Sequence, residues 1–427
     1  MEYAAMMYKL KQLSIGAGKV YNSIRKTGVK NTLLTIKGRF DAKYSSNIKI
    51  SQEETDSMNG VYKNLNDLIL DKKLKGLVVI TSAMEFEEVY NQRTINLAKY
   101  YSENDYAVLY VVWQWQSSEK LEKSYQNVYE NIYQVPLYPF IATMPALDAL
   151  KLKGENSFFV TFPAKAFLNL FPTFHQMGYK VVYDIMDEWE EFYKVGHAPW
   201  YNKKIEEEIT KQAGLVFAVS KPLSEKFNYI REDIYVVGNG FSEKLSGEKD
   251  IALKTPAEDG RIHTGYFGHL TDSWLDWDIL IEMIKEDKFF IHLIGYGIPE
   301  RLEKELKSYE NVRYYGKVHP SELSAHVKKW HVGLIPFKKS ALSQAVDPIK
   351  IYEYLYFGLP TVSSGIPHIG TYPHVTHADQ SGEFKAAVEK AYQQLMTGED
   401  KNADLEAFLA KSTWEKRFEF IEDKLLD

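Results

Sequence analysis

The sequence predicts an α/β protein of two doubly wound domains that face a cleft. Short apolar runs alternate with helical stretches along most of the chain, which is typical of parallel sheets covered on both faces. A polar, charged segment with Gly and Pro at 244–261 interrupts this alternation, which then restarts. With 427 residues, the chain is long enough for two ordinary domains and an extension.

The elements follow one another in a regular order. A polar lead-in helix is predicted over 45–75. Strands are then predicted at 76–81, 107–113, 157–162, 180–185, 215–220 and 234–240, with helices at 92–104, 206–214 and 221–227. After the polar segment, strands are predicted at 262–268, 289–297, 312–318, 332–337 and 360–365, with helices at 275–287, 299–309, 320–330, 348–357 and 384–396.

This order predicts four parts of the chain. Residues 1–50 form a basic amphipathic extension and 51–245 a first, acceptor-side domain. Residues 255–405 form a second, nucleotide-binding domain. The amphipathic tail at 406–427 is expected to cross back onto the first domain.

Composition excludes several classes of protein. The chain has no cysteine, so disulfides and thiolate metal sites are ruled out. No apolar run approaches the length of a membrane span, and no signal peptide is apparent at the start. The formal charge of −6 argues against a nucleic-acid partner. We therefore expect a cytoplasmic protein, with the inner face of a membrane as a possible location.

Residues 1–50 carry ten Lys/Arg against Glu2 and Asp41, a net charge of +8. Apolar residues lie between these charges. Such an arm can lie on an anionic membrane surface. A solvated basic helix packed on its own protein explains the pattern equally well, and a partner protein is a third interpretation.

The segment "AVDPIKIYEYLYFGLPT" (345–361) predicts a punctuated helix. Asp347 suits the N-cap, Pro348 the first helical position and Gly358 the left-handed residue past the end. Lys350 and Glu353 then share one face. Free N–H groups of the first turn and Lys350 would meet a diphosphate, and Glu353 would accept hydrogen bonds from a ribose. A structural Lys–Glu pair is the alternative, although such a pair stabilises a helix by only about 0.2–0.5 kcal/mol.

Two strands of the second domain end in glycine-containing turns, "GYFGHL" and "LIGYG". Glycine lets backbone N–H groups approach a phosphate. Gly268, His269, Tyr296 and Gly297 are therefore candidates for donor binding. A plain turn is the commoner reason for glycine at such positions.

The segment "DPIKIYEYLYFGLPTVSS" resembles the donor-site signature of GT-B glycosyltransferases, of the kind grouped in glycosyltransferase family 4. The likeness extends from about residue 75 to the end, through "YNQRTINLAKYYSENDYAVLYV", "VVYDIMDEWEEF", "AGLVFAVSKPLSEKF", "VVGNGF" and "TGYFGHLTDSWLDWDIL". It implies a GT-B fold of two Rossmann-like domains, with a nucleoside-diphosphate sugar bound by the second and an acceptor by the first.

The resemblance also implies roles for individual residues. Glu353 would bind the ribose, Lys350 the diphosphate, and Pro348 and Ile349 would lie at the donor as well. Gly268 would approach the phosphates, and Tyr296 and Gly297 would lie near the base. This sequence departs from the family at Ala345, where many members have a second Glu, and at His269, Thr271, Asp272 and Trp274, where many have an Arg and a Lys.

The first domain offers candidates for acceptor chemistry. Asp184 and Asp187 follow a predicted buried strand, where a carboxylate could orient or deprotonate an acceptor hydroxyl. An N-cap role is the alternative for Asp187. Arg93 begins a helix and could meet an anionic group, and His197 lies in a loop; both are placed on the acceptor side. Lys350 joins the two aspartates as a catalytic candidate because it would stabilise the leaving diphosphate.

The resemblance thus implies a metal-independent, retaining glycosyltransferase without a cofactor. Its acceptor would be a glycan, on a lipid carrier or cell-surface polymer of bacterial type. "DWD" at 276–278 is read as helical rather than as a metal site. A non-catalytic glycan-binding or scaffold protein and a sugar-nucleotide epimerase of the same fold are the alternatives. The sugar, the base, the linkage and the oligomeric state are not specified.

Overall fold

A computed structural model of the chain describes residues 48–398 and 403–427. The predicted basic extension therefore lies outside the described residues, except for 48–50. The predicted α/β class is confirmed.

The strands of the described part are, in chain order, β1 Gly76–Ser82, β2 Tyr106–Val112, β3 Gln126–Tyr129, β4 Ile132–Pro136, β5 Ser157–Val160, β6 Lys180–Ile185, β7 Leu215–Ala218, β8 Ile234–Val236, β9 Ile262–His269, β10 Phe289–Tyr296, β11 Val312–Tyr314, β12 Val332–Pro336, β13 Thr361–Ser364 and β14 Val375–His377. Most were predicted within a few residues. The antiparallel strand β3 and its partner β4, together with β14, were not predicted.

The helices of the same part are α1 Gln52–Lys72, α2 Arg93–Glu103, α3 Leu137–Ala142, α4 Met144–Ala149, α5 Lys165–Leu168, α6 Phe171–Gln176, α7 Trp189–Lys194, α8 Lys203–Gln212, α9 Lys221–Lys226, α10 Glu243–Ser246, α11 Trp277–Ile284, α12 Glu300–Leu306, α13 Leu323–Val327, α14 Ala341–Ala345, α15 Lys350–Tyr356, α16 Ser381–Thr397, α17 Ala403–Ala410 and α18 Trp414–Leu426. Two 3₁₀ turns, Pro320–Glu322 and Pro367–Thr371, complete the set.

The chain forms two compact units. The first contains the described residues up to Phe86, with Tyr101–Tyr183 and Trp189–Gly214; the second contains Glu87–Tyr100, Asp184–Glu188 and Leu215–Asp427. The domain ranges read from the sequence, 51–245 and 255–405, stay a prediction.

The first unit is built on parallel strands. Its strands follow the order β3-β4-β2-β1-β5-β6, and β1 pairs in parallel with β2 and β5. Strands β1 and β2 are buried over their whole length, as expected for strands covered on both faces. Their carboxyl ends therefore lie at one edge of the sheet.

The second unit contains a fully parallel sheet in the order β11-β10-β9-β12-β13-β14. Its core packs Trp330 directly against the backbone of Gly265, where a Cβ would stand 2.2 Å from the indole. His292 is buried in this core, and its ring nitrogens contact His263 Nδ1 (3.0 Å) and the Tyr315 hydroxyl (2.8 Å).

The polar segment at 244–261 packs within the second unit. The N–H groups of Asp250 and Ala252 donate to Tyr356 O and Phe357 O (3.0 and 2.9 Å). Ile251 and Ala252 are buried. The polar composition of 244–261 therefore does not leave this segment extended in solvent.

Candidate functional site: a half-buried cation beside a glycine turn

The helix α15 is shorter than predicted. It begins at Lys350 with Ile349 as its N-cap, so the predicted capping by Asp347 is wrong. The Asp347 carboxylate is instead buried, and it accepts hydrogen bonds from Asn239 N–H (2.5 Å) and the Tyr352 hydroxyl (2.8 Å). A buried carboxylate needs such donors to offset the loss of its hydration.

The first turn of α15 also has fewer free N–H groups than predicted. Ile351 N–H donates to Pro348 O (3.0 Å), and Tyr352 N–H donates to Ile349 O (3.1 Å). The far end behaves as predicted, because Gly358 has φ +75° and Leu359 N–H reaches back to Tyr354 O (2.9 Å). The helix is therefore well terminated, but its amino end contributes less to anion binding than the sequence suggested.

Lys350 is the central charge of the site. Its Nζ lies 5.2 Å from the ring centroid of Tyr266 and 5.3 Å from that of Phe337. In the part of the chain that the structure describes, Nζ forms no hydrogen bond or ion pair. Burial lowers the pKa of Lys350 to about 8, against the opposing effect of the Glu353 charge. This ammonium group is held by aromatic rings but is not neutralised.

Gly268 leaves the space around this cation open. It is the last residue but one of β9 and has φ +137°, and a Cβ there would stand 3.1 Å from Lys350 Cε and 3.2 Å from the Tyr266 hydroxyl oxygen. Glycine is also required at position 295, because a Cβ there would stand 1.7 Å from Gly268 O. The predicted glycine turn and the predicted lysine are thus brought together.

Glu353 lies one turn after Lys350 and is half-buried. Its Oε1 accepts a hydrogen bond from Asn91 Nδ2 (2.9 Å). Burial raises the pKa of Glu353 to about 7, although the Asn91 hydrogen bond and the Lys350 charge both oppose the shift. The carboxylate therefore keeps free lone pairs for further donors while one of its oxygens is held in place.

Asn91 was missed by the sequence analysis. Trp414 Nε1 and Asn96 Nδ2 both donate to its Oδ1 (2.5 and 3.3 Å), which directs its Nδ2 to Glu353. Glu353 and Trp414 lie hundreds of residues away along the chain, so no local pattern could reveal these contacts. Tyr266 could have been found, because it lies two residues before Gly268 and so points to the same face of β9.

The other donor candidates form a separate pair. The Tyr296 hydroxyl and His269 Nε2 are 2.5 Å apart, and both side chains are exposed at the ends of neighbouring strands. Gly297 has φ +87° and is exposed. Pro348 and Ile349 precede the helix, so the prediction of Pro348 as its first residue is wrong. The donor roles of these residues stay predictions.

Arg93 and Asp184 have each other as partners. Arg93 Nε and Nη2 donate to the two carboxylate oxygens of Asp184 (2.7 and 3.0 Å), and both side chains are buried. Arg93 Nη1 donates to Gly238 O (3.1 Å). Their predicted roles in catalysis and acceptor binding stay predictions, but this geometry gives both residues a structural role.

Asp187 has no such partner. Its carboxylate accepts no hydrogen bond from the described residues, which removes the N-cap interpretation. Burial and the negative charge of Glu188 raise the pKa of Asp187 to about 7, while Glu188 itself is paired with Lys226. His197 is an exposed loop residue of the first unit, 6.2 Å from the Phe192 ring.

No cluster of three or more His, Cys, Asp or Glu residues suited to a metal ion occurs among the described residues. In the "DWD" segment, Asp276 is the N-cap of α11 and accepts hydrogen bonds from the N–H groups of Asp278 and Ile279. No helix of the described ranges is long and apolar enough to span a bilayer.

Solved structures share the class of fold. The chain superposes on the apo form of the lipopolysaccharide outer core galactosyltransferase WaaB with a TM-score of 0.58, at 16% identity, covering 82% of this chain and 99% of the other. The Anabaena protein Alr3699/HepE in complex with UDP gives a TM-score of 0.58 at 14% identity, with coverage of 82% and 99%. The fold is that of the GT-B glycosyltransferases, as predicted.

A sequence relative agrees with this class. The chain is 26% identical over 279 residues to TuaH of Bacillus subtilis (strain 168), described as a teichuronic acid biosynthesis glycosyltransferase; the match covers 58% of this chain and 68% of TuaH. No family model matches the chain. The likeness to GT-B glycosyltransferases is therefore confirmed, and membership of family 4 stays a prediction.

Proposed function

We propose that this protein transfers a sugar from a nucleoside-diphosphate sugar to a glycan acceptor during synthesis of a cell-surface polysaccharide or glycoconjugate. The observation that carries the proposal is Lys350, an unneutralised cation beside the Gly268 turn and one helical turn from Glu353. The description of TuaH and the UDP bound to HepE support the same donor class.

The chemistry follows from this charge. Negative charge accumulates on the diphosphate as the bond from the sugar to the leaving phosphate breaks. A fixed ammonium group among aromatic rings stabilises this growing charge more than it stabilises the intact donor. Lys350 can supply this without a metal ion or cofactor, which is why we propose a metal-independent enzyme. Retention of configuration is proposed from the family-4 likeness alone.

In this proposal Glu353 binds the nucleotide part of the donor and does not contact the reacting atoms. Its free lone pairs accept hydrogen bonds from the ribose hydroxyls, and Asn91 fixes its orientation. Asp187, with a pKa of about 7, is the candidate that accepts a proton from the acceptor hydroxyl near neutral pH. The acceptor is proposed to be a glycan, lipid-linked or polymeric, handled at the inner face of a membrane.

The experiment is a donor screen followed by a product assay. Calorimetry with UDP, GDP, ADP and dTDP identifies the base, and incubation with the matching labelled sugar nucleotides and candidate glycans then tests transfer. We expect binding of one nucleoside diphosphate and release of that nucleotide only when an acceptor is present. Binding without any transfer would favour the non-catalytic alternative, and isomerised sugar nucleotide without acceptor would favour the epimerase.

A matched variant completes the test. Lys350→Ala should bind the nucleoside diphosphate weakly, whereas Lys328→Ala should bind it normally, because Lys328 forms an exposed ion pair with Glu248. Equal affinities for the two variants would contradict the proposed site.

A further inference from the structure

Half of the chain's eight tryptophans lie together in the first unit. We name Trp113, Trp115, Trp189 and Trp200 the indole cluster. The ring centroid of Trp113 lies 6.0 Å from that of Trp115 and 6.3 Å from that of Trp200, which is 5.3 Å from Trp189. The four rings form one continuous array.

The indole cluster lies where parallel sheets bind ligands. Trp113 follows the last residue of β2, and Phe162 follows β5 closely. The Phe162 ring packs 5.4 Å from Trp113 and 5.2 Å from Trp200. Strands β2 and β5 both pair in parallel with β1, so their carboxyl ends share one edge. In open α/β sheets, ligands bind beyond this edge.

The cluster contains hydrogen-bond donors that the protein does not use. The indole N–H groups of Trp113 and Trp189 are buried and find no acceptor among the described residues. A buried donor without a partner costs about 1–3 kcal/mol. Phenylalanine, the residue type of the neighbouring rings of Phe162 and Phe167, would fill an apolar core without this cost. Indoles at these two positions, like those of Trp277 and Trp330 in the second unit, therefore carry a cost that their packing must offset.

The indole cluster reaches the solvent at Trp115, which is 36% exposed. The exposed Trp115 ring, which meets the Trp113 ring edge-to-face, offers a flat apolar platform at the surface. A pyranose ring matches this chemistry, because it has a C–H face that packs on an aromatic ring.

We propose that the indole cluster is a binding subsite for a pyranose ring of the glycan acceptor, with Trp115 as its stacking platform. This rests on the proposed function, since it names the part of the first unit that recognises the acceptor. The subsite would select an acceptor by its sugar ring, so a simple glycoside without any lipid should already bind.

Binding of simple glycosides to the full chain tests the subsite without any turnover. The probes are methyl pyranosides of glucose, galactose, N-acetylglucosamine and glucuronic acid, followed by tryptophan fluorescence and saturation-transfer NMR. We expect at least one glycoside to shift the fluorescence and to receive saturation on its ring C–H protons. Trp115→Ala should weaken its binding roughly three- to tenfold, as for loss of one aromatic contact. Trp115→Phe should retain most of the affinity.

Two further measurements separate this inference from the proposed function. Tyr229→Ala removes an exposed aromatic of the second unit and should leave glycoside binding unchanged. Calorimetry with the nucleoside diphosphate should give the same affinity for Trp115→Ala and wild type. If the nucleotide binds but no pyranoside does, or if Trp115→Ala binds pyranosides like wild type, the subsite is wrong and the transferase proposal stands. If the nucleotide does not bind, the proposed function itself is contradicted.

Discussion

Arg93 and Lys350 are two cations of the second unit with opposite surroundings. Arg93 is buried and uses its guanidinium fully, on both oxygens of Asp184 and on Gly238 O. Lys350 lies against Tyr266 and Phe337 and has no anionic partner bonded to it among the described residues. A cation with an internal partner holds the fold, whereas a cation left unpaired is available to a ligand. Substitution of Arg93 should therefore affect stability, and substitution of Lys350 should affect ligand binding and activity.

Removing the Arg93 side chain should have the largest effect, and this effect should be on stability. Arg93→Ala leaves the Asp184 carboxylate buried and unpaired, and loss of one partner of a buried ion pair typically costs about 3–5 kcal/mol. We expect this loss in urea denaturation. The double variant Arg93→Met with Asp184→Leu should recover most of it, because neither charge then remains. A stable Arg93→Ala that had lost only acceptor binding would restore the acceptor-side role predicted for Arg93.

Removing Lys350 should cost activity and leave the fold intact. Lys350→Ala is expected to lower kcat/KM by about 10²–10³, the effect of losing one charge-stabilising group in an active site. The free energy of unfolding should stay the same or rise, since a partly buried charge without a partner is removed. Steady-state kinetics and denaturation of the same preparation make the comparison. A Lys350→Ala protein that is less stable than wild type but turns over normally would contradict this prediction.

The pH dependence of donor affinity should be bell-shaped. Donor binding requires ionised Glu353 and protonated Lys350, whose pKa values are about 7 and about 8. Affinity should therefore be highest between these values and fall about tenfold per pH unit outside them. Calorimetry across pH should show that Glu353→Gln flattens the acid limb and that Lys350→Arg moves the alkaline limb upward.

The shift at Glu353 also affects stability. Its pKa is raised from 4.5, so the folded state binds this proton more tightly than the unfolded state does. Its stabilising contribution is complete below pH 4.5 and is lost as pH rises through about 7. Glu353→Gln should consequently gain stability relative to wild type over that range. A constant difference in unfolding free energy would contradict the burial of this carboxylate.

Asn91 should have the smallest effect. Asn91→Ala removes a hydrogen bond to a charged group, so donor affinity should fall about tenfold. The acid limb of the pH profile should also move to higher pH, because the Asn91 hydrogen bond lowers the pKa of Glu353. A purely structural residue would not move that limb, so the profile separates the two roles.

Much of the second unit could be predicted from local pattern. The strand ending in Gly268, the Lys350–Glu353 spacing and the Gly358 stop all depend on neighbouring residues, and the structure contains each of them. The resemblance to a known signature added the fold that these elements form.

The errors arise where distant residues meet. Asp347 was expected to cap a helix, but Asn239, more than a hundred residues away, supplies its donors. The ion pair of Asp184 with Arg93, which comes from another part of the chain, was likewise not predicted. Hydrogen bonds of this kind depend on tertiary contact rather than on period or propensity, so no local rule predicts them.

Calorimetric titration of a nucleoside diphosphate into wild type, Lys350→Ala and Lys328→Ala tests the central claim most directly. The account predicts that wild type and Lys328→Ala bind alike and that Lys350→Ala loses most of the affinity while remaining folded. Equal affinity for all three proteins would contradict it.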